Sequence, residues 1–187
     1  MKIIKRILLS ILVLIAVGFL FRGWFYRQLV TYKSVGQRAA YSATDDNLVD
    51  CIEASVAGKK DPDIQAIIRT GRSITSRQLT FTADRNDTDP NQLIHSRTAH
   101  CVGYASFFAT TCNYLLKKYN LADTWMATSQ VGQLYFFGTN IHQYFNTPFF
   151  KDHDFVTIKN KKTGAILAVD PTVSDYLCID FVAYTPN

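Results

Sequence analysis

Fifteen consecutive uncharged residues, ILLSILVLIAVGFLF at 7–21, open the pattern, and RGWFY carries the apolar run to Tyr26 with one arginine. A helix of about 20 apolar residues spans the hydrocarbon core of a bilayer. Basic residues at both ends and the lack of a polar face argue against a buried core helix. Arg22 stands where a long side chain snorkels to headgroups, and Trp24 and Tyr26 are interface types. The small residues AVG (16–18) also fit a cleavage site, so a retained anchor and a removed signal are the two readings. The apolar run continues past that site and favours an anchor, with the N-terminus cytoplasmic and the domain extracytoplasmic. The expected organisation is a signal-anchor helix at 1–28, a linker at 29–43 and one domain at 44–187.

Beyond the linker the hydrophobic period is helical. TDDNLVDCIEASVAG (44–58) sets Leu48, Ile52 and Ser55 or Val56 on one face, with Thr44 or Asp45 as N-cap and Gly58 at the C-terminal stop. DPDIQAIIRTGRSIT predicts a second helix with Asp61 as N-cap and Pro62 at the first helical position. Gly71 weakens its middle. A polar loop follows at 82–92, and a helix is expected from Cys101 to Tyr119, closed by Lys117 and Lys118. The small residues of its first half suit a central helix packed on several sides. The pattern then turns to extended runs: TWMATSQVG, QLYFFG, HDFVTIKN, AILAVD and YLCIDFVAY. Helices first and strands afterwards predict an α+β fold with a mostly antiparallel sheet. An aromatic-rich connection between Gly138 and Lys151 is long enough for a lid or rim.

The net charge of +5 first suggests a nucleic-acid partner. Residues 1–38, however, carry seven Lys/Arg and no acid, while the other 149 residues hold thirteen Lys/Arg against fifteen Asp/Glu. The basicity therefore belongs beside a membrane, and no nucleic acid is expected. Four cysteines (51, 101, 112, 178) do not make a disulfide scaffold at this length, though they allow one pair outside the cytoplasm.

A cysteine nucleophile requires a lowered thiol pKa, a base in reach and a group that orients the base. Cys101 opens a helix, whose N–H groups and dipole favour thiolate and face a developing oxyanion. Taken alone, a buried packing role is the commoner fate of such a cysteine. Cys51 and Cys112 fall inside helices and Cys178 in a strand-like run. His153 starts HDFVTIKN, and the turn NKKTG returns the chain to AILAVDP. A two-residue turn between Asn160 and Thr163 would make His153 and Asp170 direct cross-strand neighbours, close enough for an imidazole–carboxylate bond; a bulge at Gly164 would shift the register by one. His142 is the alternative base, His100 a rim residue, and a zinc site with Cys101 and His95 or His100 lacks ligand spacing.

CVGYA (101–105), HDFVTI (153–158) and VDPT (169–172), with IIRTGRSITSRQLTF before them, resemble the transglutaminase-like superfamily, circularly permuted relatives of papain-type cysteine peptidases. The resemblance covers roughly residues 60 to 175. It implies Cys101 as nucleophile, His153 as general base and acid, and Asp170 as orienter, acting on a polypeptide or peptide amide with no cofactor or metal. It leaves the second oxyanion donor open between Gln92, His95 and a nearby loop. The segment around His142 departs from the family as an insertion. A fold kept for peptide binding without turnover is the alternative it allows.

Overall fold

Two nearly continuous helices, α1 (Lys2–Leu20) and α2 (Arg22–Leu29), lead into the domain in this computed structural model, which describes residues 2–186. Ile3–Leu20 has a mean hydropathy of 2.5 and none of it is buried against the protein. At 1.5 Å per residue it extends roughly 27 Å, matched to a hydrocarbon core of about 30 Å. Among the described residues it is the one helix long and apolar enough to cross a membrane, a property that membrane anchors share with signal sequences. Helical bonds from Phe21 N–H to the Val17 carbonyl and from Phe25 N–H to the Phe21 carbonyl carry the geometry across the junction. Arg22, expected to reach for headgroups, donates from Nε to the Leu177 carbonyl at 2.9 Å and from Nη1 to the Phe19 carbonyl.

The expected linker is not a linker throughout. Residues Val30–Gln37 form a strand, β1, and it lies inside the main sheet. Its inward positions are Tyr32 and Ser34, and Ser34 Oγ donates to Gln130 Oε1 at 2.7 Å. A strand whose core face carries a tyrosine and a serine does not announce itself by hydrophobic alternation.

Four helices follow: α3 (Asp46–Val56), α4 (Ile64–Gln78), α5 (Pro90–Ser96) and α6 (Cys101–Lys118). Asp45 caps α3, accepting from the Asn47 and Leu48 N–H groups. The cap of α4 is Asp63, accepting from Ala66 N–H at 2.6 Å, and not Asp61. Asp61 adopts φ 44°, so it and Pro62 form the turn that precedes the helix. The loop expected at 82–92 ends in a capped helix start, because Asp89 accepts from Asn91 N–H and Pro90 takes the first helical position. Helix α6 is buried on several sides, including Tyr104, Phe107, Phe108 and Leu115 at 0% exposure. A Cβ at Gly71 of α4 would lie 2.8 Å from Cys112 Sγ and 3.0 Å from Phe108 Cε2, so the glycine sets how closely α4 and α6 approach.

The remaining chain builds the sheet: β4 (Trp125–Phe136), β5 (Thr139–Asn140), β6 (His153–Asn160), β7 (Ile166–Val169) and β8 (Ala183–Thr185), joined by 3₁₀ turns at Ile141–Tyr144 and Pro148–Phe150. The path is β7-β6-β4-β1-β8, with β5 on β4; a separate parallel pair joins β2 (Thr80–Phe81) to β3 (Thr98–Ala99). The sheet is mixed, because β1 pairs parallel with β8 and the other pairs are antiparallel. Two expected runs fuse into the single strand β4, with Gly132 inside it. The run expected at 176–184 divides: Pro171–Leu177 is a helix, α7, capped by Asp170, and β8 comes after it. Among the described residues, seven helices and a mixed sheet make an α+β fold, with α6 packed across the face of β4 and β6.

Candidate active site

Cys101 is the first residue of α6 and is 8% exposed. The N-cap residue His100 is extended (φ −92°, ψ −175°) and gives no side-chain cap bond. Its imidazole instead lies beside the Cys101 thiol and helps to lower that thiol's pKa. The Asp154 backbone N–H is aimed at the same sulfur. Behind it, Arg38 Nε and Nη2 clamp the fully buried Asp154 carboxylate at 2.8 and 2.9 Å. That bidentate pair fixes the start of β6 against the segment leaving β1.

His153 begins β6 opposite Gly132 of β4. A Cβ at Gly132 would stand 2.6 Å from the His153 carbonyl and 2.6 Å from Phe155 Cδ1, so glycine alone admits this close approach. His153 Nε2 donates to Asp170 Oδ2 at 2.6 Å. With Nε2 committed to Asp170, Nδ1 is the ring nitrogen left to face Cys101, which helps to raise the pKa of His153. The expected contact is present, but not through the expected register. Val156 pairs with Val169 and Lys159 with Ile166, two positions away from a pairing of 153 with 170. The cause is the turn: Asn160 Oδ1 accepts from Lys162 and Thr163 N–H, and the loop closes between Asn160 and Ala165, with Gly164 at φ 75°. A two-residue slip keeps every side chain on its face. Asp170 consequently reaches His153 from beyond the end of β7, as the cap of α7.

Asp170 is fully buried and saturated. Its Oδ1 accepts from the Thr172 and Val173 N–H groups at 3.0 Å, and its Oδ2 accepts from His153 and from the Tyr32 hydroxyl at 2.8 Å. Burial pushes its carboxyl up, but the His153 charge and these donors hold it below the ordinary range. Burial likewise opposes a charged His153, yet Asp170 and Cys101 raise its pKa well above the ordinary value. Burial raises the Cys101 thiol too, and the neighbouring His100 and His153 outweigh it, bringing it down to about 7. Cys112, buried against α4 with no such partners, is pushed far up.

The other sequence candidates lie elsewhere. His142 is 7% exposed in the aromatic segment, with Nδ1 on the Phe150 carbonyl at 2.7 Å and Nε2 without a partner among the described residues. His95 Nε2 bonds to Asp45 Oδ2 at 2.8 Å, and Gln92 is exposed. All four cysteines are free, so the allowed disulfide is not formed. Among the described residues no group of three or more His, Cys, Asp or Glu stands together as a metal site. A cavity of about 950 Å³ runs from Arg38 along α6 to Trp125 and Lys161, and one of about 360 Å³ lies between α3, α4 and the end of α6; neither is lined by Cys101, His153 or Asp170. Sequence reading did not reach Arg38, Tyr32 or the influence of His100 on the thiol. For His100 its adjacency was the available signal; the other two come from the unrecognised β1 and the segment after it. The chain matches no family model, no curated protein and no solved structure.

Proposed function

We propose that the chain is a membrane-anchored amide hydrolase or acyltransferase of the transglutaminase-like type, with Cys101 as nucleophile, His153 as base and acid, and Asp170 as orienter. The observation that carries this reading is the meeting of three elements: a thiol at the start of α6, an imidazole at the start of β6, and a saturated carboxylate 2.6 Å from that imidazole. The Cys101 thiolate attacks the amide carbonyl carbon, and the resulting oxyanion faces the first N–H groups of α6. The tetrahedral species collapses as His153 gives its proton to the departing amine, leaving a thioester on Cys101. Water then adds with His153 as base, releasing the carboxylic acid and restoring the thiol; an amine in place of water yields a new amide. Hydrolysis is the preferred outcome, on peptides or surface proteins beside the membrane.

One observation favours a second reading, a non-catalytic peptide-binding domain. Cys101 is 8% exposed, and the aromatic segment at 138–151 leads directly into His153. Alkylation of Cys101 as a function of pH, read by mass spectrometry of its peptide, separates the two. Turnover requires labelling that persists with a midpoint near pH 7 and is lost in His153→Ala, while Cys101→Ala abolishes amide hydrolysis and leaves the fold unchanged. A Cys101 that stays unlabelled, or that labels as an ordinary thiol with a pKa of about 8.5, supports the binding domain instead.

A further inference from the structure

Two tyrosines connect the helix that follows the apolar span to the carboxylate of the candidate triad. Tyr26, on α2, lies with its hydroxyl 2.6 Å from that of Tyr32, on β1. Tyr32 is 0% exposed and donates to Asp170 Oδ2 at 2.8 Å. A phenol has one hydrogen, and an ionised carboxylate has none to give. Tyr32 therefore spends its hydrogen on Asp170, and Tyr26 must donate to Tyr32. The chain has a single direction: Tyr26 to Tyr32 to Asp170, with His153 on the same oxygen of Asp170. Helix α2 also grips the far end of α7, since Arg22 Nε donates to the carbonyl of Leu177, the last residue of the helix that Asp170 caps. Both ends of the element holding Asp170 are thus tied to α2.

We propose that Tyr32 and Tyr26 are positioning residues of this site, so that the docked state of the juxtamembrane helix α2 sets the charge balance of the Cys101–His153–Asp170 group. The proposal rests on the catalytic reading above. The groups that face one another are His153 from β6, Tyr32 from β1 and Tyr26 from α2 around Asp170, with His100 of the α6 cap, the Asp154 backbone and the Arg38 charge around Cys101. Tyr32 aims the positive end of its O–H dipole at the carboxylate, and Tyr26, by donating to the Tyr32 oxygen, strengthens that dipole. Deleting one makes the site more negative, and both Cys101 and His153 become harder to deprotonate. A loosened packing contact, by contrast, lowers reactivity without moving either titration.

The test uses the full chain in detergent micelles, with iodoacetamide as probe and the Cys101 peptide quantified from pH 4 to about 11. The relay predicts that Tyr32→Phe moves the thiolate midpoint upward by roughly half a pH unit, and that Tyr26→Phe moves it the same way by less, because polarisation passes along hydrogen-bond chains. In the Tyr32→Phe background, Tyr26→Phe then has no further effect, the non-additivity expected of one chain. Thermal unfolding followed by circular dichroism selects variants that retain the fold. A wild-type midpoint near 7 that neither single variant moves, or that the two move additively, overturns the relay while leaving the catalytic reading standing. A wild-type Cys101 that behaves as an ordinary thiol overturns both.

Discussion

Asp170 shows how much one carboxylate organises. It caps α7, holds His153 and receives Tyr32. Asparagine is an equally good helix cap, so Asp170→Asn keeps the backbone bonds and removes the charge. His153 then loses what keeps it protonated, and the Cys101 midpoint climbs from about 7 toward the ordinary thiol value, cutting alkylation at pH 6 about tenfold or more. The same change has a signature in stability. Asp170 is held below its unfolded value of about 3.9, so its contribution is complete above that pH and drains away as pH falls through the folded value; His153 is raised, so its contribution is complete below about 6.5 and is lost as pH rises through its folded value. The difference between wild type and Asp170→Asn in urea unfolding is therefore largest between about pH 4 and 6.5 and narrows on both sides. These three residues were legible because each sits at an element start or end whose signal is local. Tyr32 was not: its partner is 138 positions away, and nothing beside it marks a buried hydroxyl.

At the scale of elements, the contact between β4 and β6 sets His153 in place, and Gly132 is its tightest point. Gly132→Ala drives a methyl to within 2.6 Å of the His153 carbonyl. A cost of about 1–3 kcal/mol follows, with a fall in Tm of roughly 2–4 °C per kcal/mol and a loss of Cys101 reactivity. Gly36→Ala in β1 is the control, since its new atom meets Val131 at an ordinary 3.8 Å. Helix α6 was readable in full, from the thiol at its head to the paired lysines in its last turn. The hairpin of β6 and β7 was readable except for its turn, where Asn160 closes four residues instead of two. Asp-Pro pairs were harder. At Asp89-Pro90 and Asp170-Pro171 they open helices, whereas Asp61-Pro62 forms a turn because Asp63 caps α4 in its place. The dipeptide alone carries no information on which of two nearby aspartates wins the cap.

For the whole molecule, the long apolar helix gives the plainest expectation: the full chain stays with the membrane pellet through an alkaline carbonate wash, and replacing Leu12 and Ile15 by arginine releases it. A chain processed as a signal would instead appear in the soluble fraction, shortened at its N-terminus. The class of the fold came through from the order of periodicities, helical then alternating; the place of β1 did not, since its neighbours in the sheet are β4 and β8, about 100 and 150 positions further on. That placement has a temporal meaning. As the chain is synthesised, β1 emerges among the first residues of the domain and waits for one partner about a hundred residues away and for another about 150 away. Pairings so distant in sequence form late, because the loop must close before the contact rewards it. Tyr32 is made early, Asp170 late, and β8 later still. Cys101 and His153 therefore gain the Tyr32–Asp170 contact only after a stretch of 138 positions has been made and folded back on β1.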